Sequence, residues 1–364
     1  VQGAYESLVR TLQASDLIDE ELRWSGGDAI LVQTGDFLDD GTRVLEVMDL
    51  LMRLQDEAEA AGGRVIVLLG NHEALNILCI RRSVNYETYQ TFAGADSEVR
   101  QAAAYEAERR WRDARAEELG AEPAAAGEQN RENWLVVHPP GYVEYVDAMG
   151  PSGRYGKWLR TLPAAAQIGD VVFLHGGISP ELKGQTVEAI NRQVRGEIEE
   201  FDGYRELMID EGLITPLASA EEMLKEIKDE IECVNSLPKR KLDKGRYERS
   251  MRLENFQNSR DWYLVRKDGP IWFKGPGEWD EAENGDMMAE LLDAIGVRTL
   301  VTGQSNGGPP AIEARFDGRV LLTSVGMSDD PWAKCQPAAL EINDRELTVI
   351  SPQGRAPLVI AAAQ

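Results

Sequence analysis

Three short apolar runs, each ending in a potential metal ligand beside a glycine, predict an α/β (α+β) fold whose strand ends converge on one site. Residues 29–34 lead into Gly35-Asp36-Phe37-Leu38-Asp39-Asp40-Gly41, residues 65–69 into Gly70-Asn71-His72-Glu73, and residues 171–174 into His175-Gly176-Gly177. Amphipathic stretches between these runs supply the helices.

Taken along the chain, residues 4–14 carry apolar side chains at helical spacing after the loop Val1-Gln2-Gly3. The run 29–34 reads as a strand; Gly35 permits a sharp turn, so Asp36 leaves the strand end pointing outward. Residues 43–61 place Val44, Val47, Met48, Leu51 and Leu54 on one helix face, which links two strands of a sheet. The run 65–69 reads as a buried parallel strand that delivers Asn71, His72 and Glu73 into a loop. A long insertion, about 77–166, contains a charged helix over 102–119 and a loop rich in Ala, Gly and Glu at 121–129. A second helical insertion, about 187–261, holds the one basic run, 236–244, which reads as a solvated linker. Residues 319–324, 338–342 and 346–350 read as antiparallel strands, with Asn343-Asp344 as a turn and 351–364 as a frayed tail.

Carboxylate, amide oxygen and imidazole at successive strand ends suit a hard or borderline divalent metal, Mn, Fe or Zn. Asp36, Asn71 and His175 are therefore the candidate ligands, and His72, which titrates near neutral pH, is a candidate proton donor. Glu73 is expected to support its loop by accepting from backbone amides. Asp39 has a turn-capping alternative, and His138 reads as a loop histidine.

In these motifs the chain resembles the calcineurin-like metallophosphoesterases, and within them the Shewanella-like branch of the phosphoprotein phosphatases. The matching positions are Val1-Gln2-Gly3, Gly35 to Gly41, Gly70 to Glu73, His175 to Gly177 and Gly303-Gln304. The resemblance implies a β-sandwich flanked by helices with helical cap insertions: one domain over 1–350, with a first strand expected upstream of Val1. It implies a two-metal site in which Asp36 bridges, Asn71 and His175 hold the second metal, His72 protonates the leaving oxygen and Asp39 orients His72. The implied reaction is attack of a metal-bound hydroxide on a phosphate monoester, carried by a small molecule or a phosphoprotein.

Departures from the family pattern fall on the ligand and phosphate positions. Gln2 and Gln304 stand where the family has histidine; a neutral amide is a weaker donor, and glutamine filling the space of a lost imidazole is the alternative to ligation. The first-metal site is therefore expected to be impaired. Asp40 occupies the place of a phosphate-binding arginine, and reversing that charge is worth roughly 3 kcal/mol per charge pair at ~5 Å and an effective dielectric of ~20. Lys274, at a second arginine's place, keeps charge but loses the planar fork, and Arg43 is positioned to swing back toward the site. Two readings follow: a metal-dependent phosphatase of reduced activity, or a catalytically inactive relative that binds a phospho-ligand or partner protein.

Composition narrows the rest. A formal charge of −24 opposes binding to nucleic acid or an anionic membrane surface. No apolar run approaches the ~20 residues that span a bilayer. Cys79, Cys233 and Cys335 are too widely spaced for a Cys-x-x-Cys site and read as reduced thiols. Cytoplasm and bacterial periplasm both stay open.

Overall fold

The computed structural model describes residues 1–120, 128–238, 243–304, 311–329, 336–344 and 346–360, without the side chains of residues 128, 129 and 257. Its elements begin α1 (Tyr5–Ala14), β1 (Ile30–Gln33), α2 (Val44–Ala61), β2 (Arg64–Val67) and α3 (Asn71–Ile77). Helices α4 (Tyr86–Phe92), α5 (Ser97–Leu119), α6 (Glu128–Val137), α7 (Tyr142–Met149) and α8 (Arg154–Leu159) precede β3 (Ala165–Ile168) and β4 (Val171–Leu174). Then come α9 (Val187–Asp210), α10 (Ala220–Ser236), α11 (Lys244–Glu254), α12 (Gly275–Glu278) and α13 (Glu281–Ile295). Strands β5 (Thr299–Thr302), β6 (Glu313–Arg315), β7 (Val320–Leu322), β8 (Ala339–Asn343), β9 (Glu346–Ser351) and β10 (Gly354–Pro357) complete the order.

Contacts divide the chain into two compact units. The first comprises Val1–Ala74, Thr161–Arg195 and Tyr263–Gln364. Here β1 and β2 pair in parallel, Ile30 opposite Arg64, across α2. A parallel pair needs such a crossover, and α2 buries Val44, Val47, Met48, Leu51 and Leu54, the face expected from sequence. A five-stranded sheet runs β3-β4-β5-β7-β6, its three inner strands mutually parallel and both edges antiparallel. A third sheet, β10-β9-β8, is antiparallel throughout.

Three expectations are revised. Residues 319–324 supply β7, whose partner β5 is parallel; only β6 meets it antiparallel. The tail is not wholly frayed, because Gly354–Pro357 pairs with β9, Pro357 opposite Thr348. Asn71 opens a helix instead of a loop. The loop at 121–127, residues 239–242 of the basic run, Cys335 and the last residues of the tail lie outside the described residues.

The second unit, Leu75–Arg160 and Gly196–Trp262, is helical among its described residues. One core cluster is aromatic: Tyr89 meets Tyr142 and Tyr145 at 5.2 Å, and Phe92 meets Tyr145 at 5.0 Å. A second cluster is ionic and ties α5, α10 and α11 together through Glu230, which has no exposed side chain. No described helix is long and apolar enough to cross a membrane.

Candidate active site

The parallel pairs β1-β2 and β4-β5 of the first unit end at one place, and hydrogen bonds among those ends hold it. Leu68 N–H donates to the Gln33 carbonyl at 2.9 Å, while Thr302 Oγ1 and the Gln304 amide both donate to the His175 carbonyl, at 2.8 and 2.7 Å. Glycine is required where backbones cross: a Cβ on Gly70 would sit 2.3 Å from Asp36 Oδ1, and one on Gly35, which is at φ +88°, would sit 2.6 Å from Gly70 N.

The loop after β1 is unusually bent. Asp36, Asp39 and Asp40 all have left-handed backbones, φ 53°, 62° and 57°. Aspartate tolerates this conformation better than most residues but still at a cost, so the surroundings must hold the loop. Glu73, fully buried, does so. Its carboxylate accepts from the amides of Asp36 (2.7 Å), Phe37 (3.0 Å), Leu38 (3.0 Å) and Gly70 (2.8 Å). The last of these bonds is the return half of a capping box, which is why Asn71 and His72 lie in the first turn of α3. Burial and the neighbouring Asp36 charge push the Glu73 pKa up, against the pull of the amides.

Asp36, Asn71 and His175 come together. His175 Nε2 is 2.9 Å from Asn71 Oδ1 and 3.2 Å from Asp36 Oδ2. The other ring nitrogen, Nδ1, is 2.8 Å from the Thr34 carbonyl and must donate to it. In neutral His175 the Nε2 lone pair then faces two oxygens, three acceptors with no donor among them. A proton on Nε2, an Asn71 amide turned to donate, or a cation satisfies that arrangement, and a ligating histidine commonly anchors its second nitrogen on a carbonyl in this way. The residues present thus fit a divalent cation. Burial lowers the His175 pKa, but the Asp36 charge and hydrogen bond, the Thr34 carbonyl and the Glu73 charge together outweigh it, so the net shift is upward. Asp36 shows the reverse: burial raises it, yet His175 and His72 bring it to about 2.

His72 stands on the other side of Asp36. Its Nδ1 is 3.0 Å from buried Asp39 Oδ2, and its Nε2 is 3.9 Å from Asp36 Oδ2. Burial lowers its pKa, but the Asp39 hydrogen bond and the Asp36 charge outweigh that and lift it to about 9. Gln2 reaches the same edge: its Nε2 donates to Asp40 Oδ2 at 2.8 Å and lies 3.4 Å from His72 Nε2. Gln304 is buried at the end of β5, beside the His175 backbone.

Two predicted anion-binding residues do not join this cluster. Arg43 pairs with Glu6 and Glu46 and lies over the Tyr5 ring, 4.2 Å from its centroid. Lys274 is exposed at the N-cap of α12, with no side-chain ion pair among the described residues. His138 stacks on Trp134 at 4.1 Å and meets Tyr142 edge-on, a packing role. Sequence reading missed the Thr34 carbonyl, because a main-chain acceptor leaves no trace in residue type.

A family model described as calcineurin-like phosphoesterase matches residues 1–226. The chain is 26% identical over 354 residues to Shewanella-like protein phosphatase 1 of Plasmodium berghei, covering 96% of this chain and 72% of that one. It is 30% identical over 217 residues to Shewanella-like protein phosphatase 2 of Arabidopsis thaliana, covering 56% of this chain and only about half, 51%, of that relative. Among solved structures, the cold-active protein-tyrosine phosphatase of a psychrophilic Shewanella species superposes with a TM-score of 0.57 at 20% identity, over 98% of this chain and 78% of that one. A 1.1 Å structure of a cold-active protein tyrosine phosphatase gives 0.58 at 19%, over 98% and 75%. At such identities these structures establish the fold, and it is the mixed α/β metallophosphoesterase architecture.

Proposed function

The chain belongs to the calcineurin-like phosphoesterase family, a family of metal-dependent phosphohydrolases, and we propose that it hydrolyses phosphate monoesters, phosphoproteins among them. The observation that carries this reading is the convergence of Asp36 Oδ2, Asn71 Oδ1 and His175 Nε2, with the imidazole fixed by Thr34. These three residues would hold a divalent ion, Mn, Fe or Zn, with Gln304 and Gln2 at the weakened ligand positions. When bound, the ion supplies Lewis acidity and neutralises phosphate charge. His72, kept protonated by Asp39 and Asp36, is the proposed donor to the leaving oxygen, and Asp39 fixes which ring nitrogen faces outward. The protein-phosphatase names of two relatives support a phosphoprotein substrate. Substrate choice is assigned to the helical segments that interrupt the first unit's sequence.

The test is metal content together with p-nitrophenyl phosphate hydrolysis on one preparation, with Mn or Zn added. Metal-stimulated turnover that falls about 10²-fold or more in His72→Ala, with metal content retained, is the expected result. Absence of turnover from several monoesters would reject it. In that case the inactive phospho-ligand binder is the reading left. It is favoured by one feature: among the described residues no arginine joins the cluster, while Asp40 is held beside His72 by Gln2.

Asp40 also sets a specificity prediction. Asp40→Arg is expected to tighten competitive inhibition by inorganic phosphate roughly fivefold to tenfold, a modest factor because the position is exposed and screened. An unchanged inhibition constant would mean that Asp40 does not face the phosphate.

A further inference from the structure

A second concentration of charge lies wholly in the helical unit. Arg81 after α3, Arg160 at the end of α8 and Arg205 in α9 line one cavity with Asn76, Tyr145 and Met149. It is small and opens to solvent. Arg160 is neutralised by Asp202, Nε to Oδ2 at 2.6 Å and Nη2 to Oδ1 at 2.9 Å. The other two are not: among the described residues no carboxylate lies within 4.0 Å of Arg81 or Arg205. Arg81 reaches neutral acceptors, the Tyr142 hydroxyl at 3.0 Å and the Leu217 carbonyl at 3.3 Å. The ionisable groups that act most on its charge are the Cys79 thiol and the phenols of Tyr142, Tyr89 and Tyr145. Arg205 donates from Nη2 to the Pro216 carbonyl, and its Nε is buried with no hydrogen-bond partner.

Carbonyls and hydroxyls solvate a guanidinium without neutralising it. Three cations facing one carboxylate leave a surplus of two, inside a chain whose formal charge is −24. Partly buried like charges with no counter-ion are costly, and uncommitted guanidinium N–H groups match the oxygen spacing of phosphoryl groups.

We propose that this cavity binds a tetrahedral oxyanion, either inorganic phosphate or the phosphoryl group of a phosphorylated ligand, between Arg81 and Arg205. A dianion supplies the two missing charges. Arg160, already paired, forms the back wall. None of these residues belongs to the candidate metal site, so the two sites are separable by experiment.

Calorimetric titration of phosphate into the full chain, with and without Mn, is the test. The expected result is one metal-independent site per chain, weakened at least tenfold in both Arg81→Gln and Arg205→Gln and less in Arg205→Lys, with all variants melting cooperatively. A phosphoserine peptide titrated in parallel separates the sources: if it alone binds, with the same sensitivity to both arginines, the ligand is a phosphoryl group on a larger molecule. Failure of both probes to bind below about 1 mM, or binding that survives both substitutions, overturns the proposal. The unmodified protein suffices for the first of those outcomes, even where a variant does not fold.

Discussion

Replacing Glu230 with alanine is expected to destabilise the helical unit by about 3–5 kcal/mol, because it strips the common partner from three arginines at once. Arg115 Nη2 donates to Glu230 Oε2 at 2.9 Å, Arg246 binds both carboxylate oxygens at 2.8 Å, and Arg249 Nη2 reaches Oε1 at 2.6 Å. The Glu230 side chain is 0% exposed and that of Arg115 only 4%, so water cannot replace what is lost. Burial raises the Glu230 pKa, but hydrogen bonds from Arg246, Arg249 and Arg115 more than offset this and hold it at about 2. A folded-state pKa below the unfolded value of 4.5 means stability that is complete above about pH 4.5 and lost as pH falls through about 2. The shift corresponds to roughly 3 kcal/mol, the same order as the mutational cost. Urea denaturation followed by circular dichroism should show the lower midpoint at pH 7, and the gap between Glu230→Ala and the parent should narrow toward pH 2. A midpoint unchanged at pH 7 would show that the cluster is neutral to stability.

The parts of the site that residue type encodes were legible from sequence: an apolar run, a glycine and a ligand-type side chain at β1, β2 and β4. What escaped has specific physical causes. Asn71 was read as loop because Gly70, not Ser, Thr, Asp or Asn, precedes it, while the helix start is written in Glu73, three residues past the N-cap. Strands Ala165–Ile168 and Gly354–Pro357 are illegible in sequence because Ala-Ala-Gln-Ile carries a single β-branched residue and Gly-Arg-Ala-Pro none; their partners β4 and β9 impose the conformation. From sequence Arg43 is placed to turn toward phosphate, but Glu46, one helical turn on, and Glu6 of α1 pair with its guanidinium instead. The anion cavity was illegible altogether, since its three arginines are separated by up to 124 positions and only the packing of helices brings them together.

Glu73→Gln is the second substitution with a large expected effect, and it acts on the candidate metal site without replacing a proposed ligand. A carboxylate offers two acceptor oxygens to the four amides of Asp36, Phe37, Leu38 and Gly70; a carboxamide offers one oxygen and turns an NH₂ donor toward the rest. At least one or two buried amides are then left facing a donor, at about 1–3 kcal/mol each. The three left-handed aspartates of the loop lose the group that holds them, and Asp36 is the residue that moves. We expect a drop in stability of about 2–5 kcal/mol together with at least a tenfold loss of Mn or Zn affinity, read by denaturation and by metal content after equilibrium dialysis. Asp36→Asn separates the two effects. It removes the charge of a proposed ligand while leaving every amide bond to Glu73 in place, so metal affinity should fall with the fold intact. If Glu73→Gln lowered stability but left metal affinity unchanged, the Asp36 position would be fixed by the strand end alone, and the amide cradle would be structural support unrelated to the site.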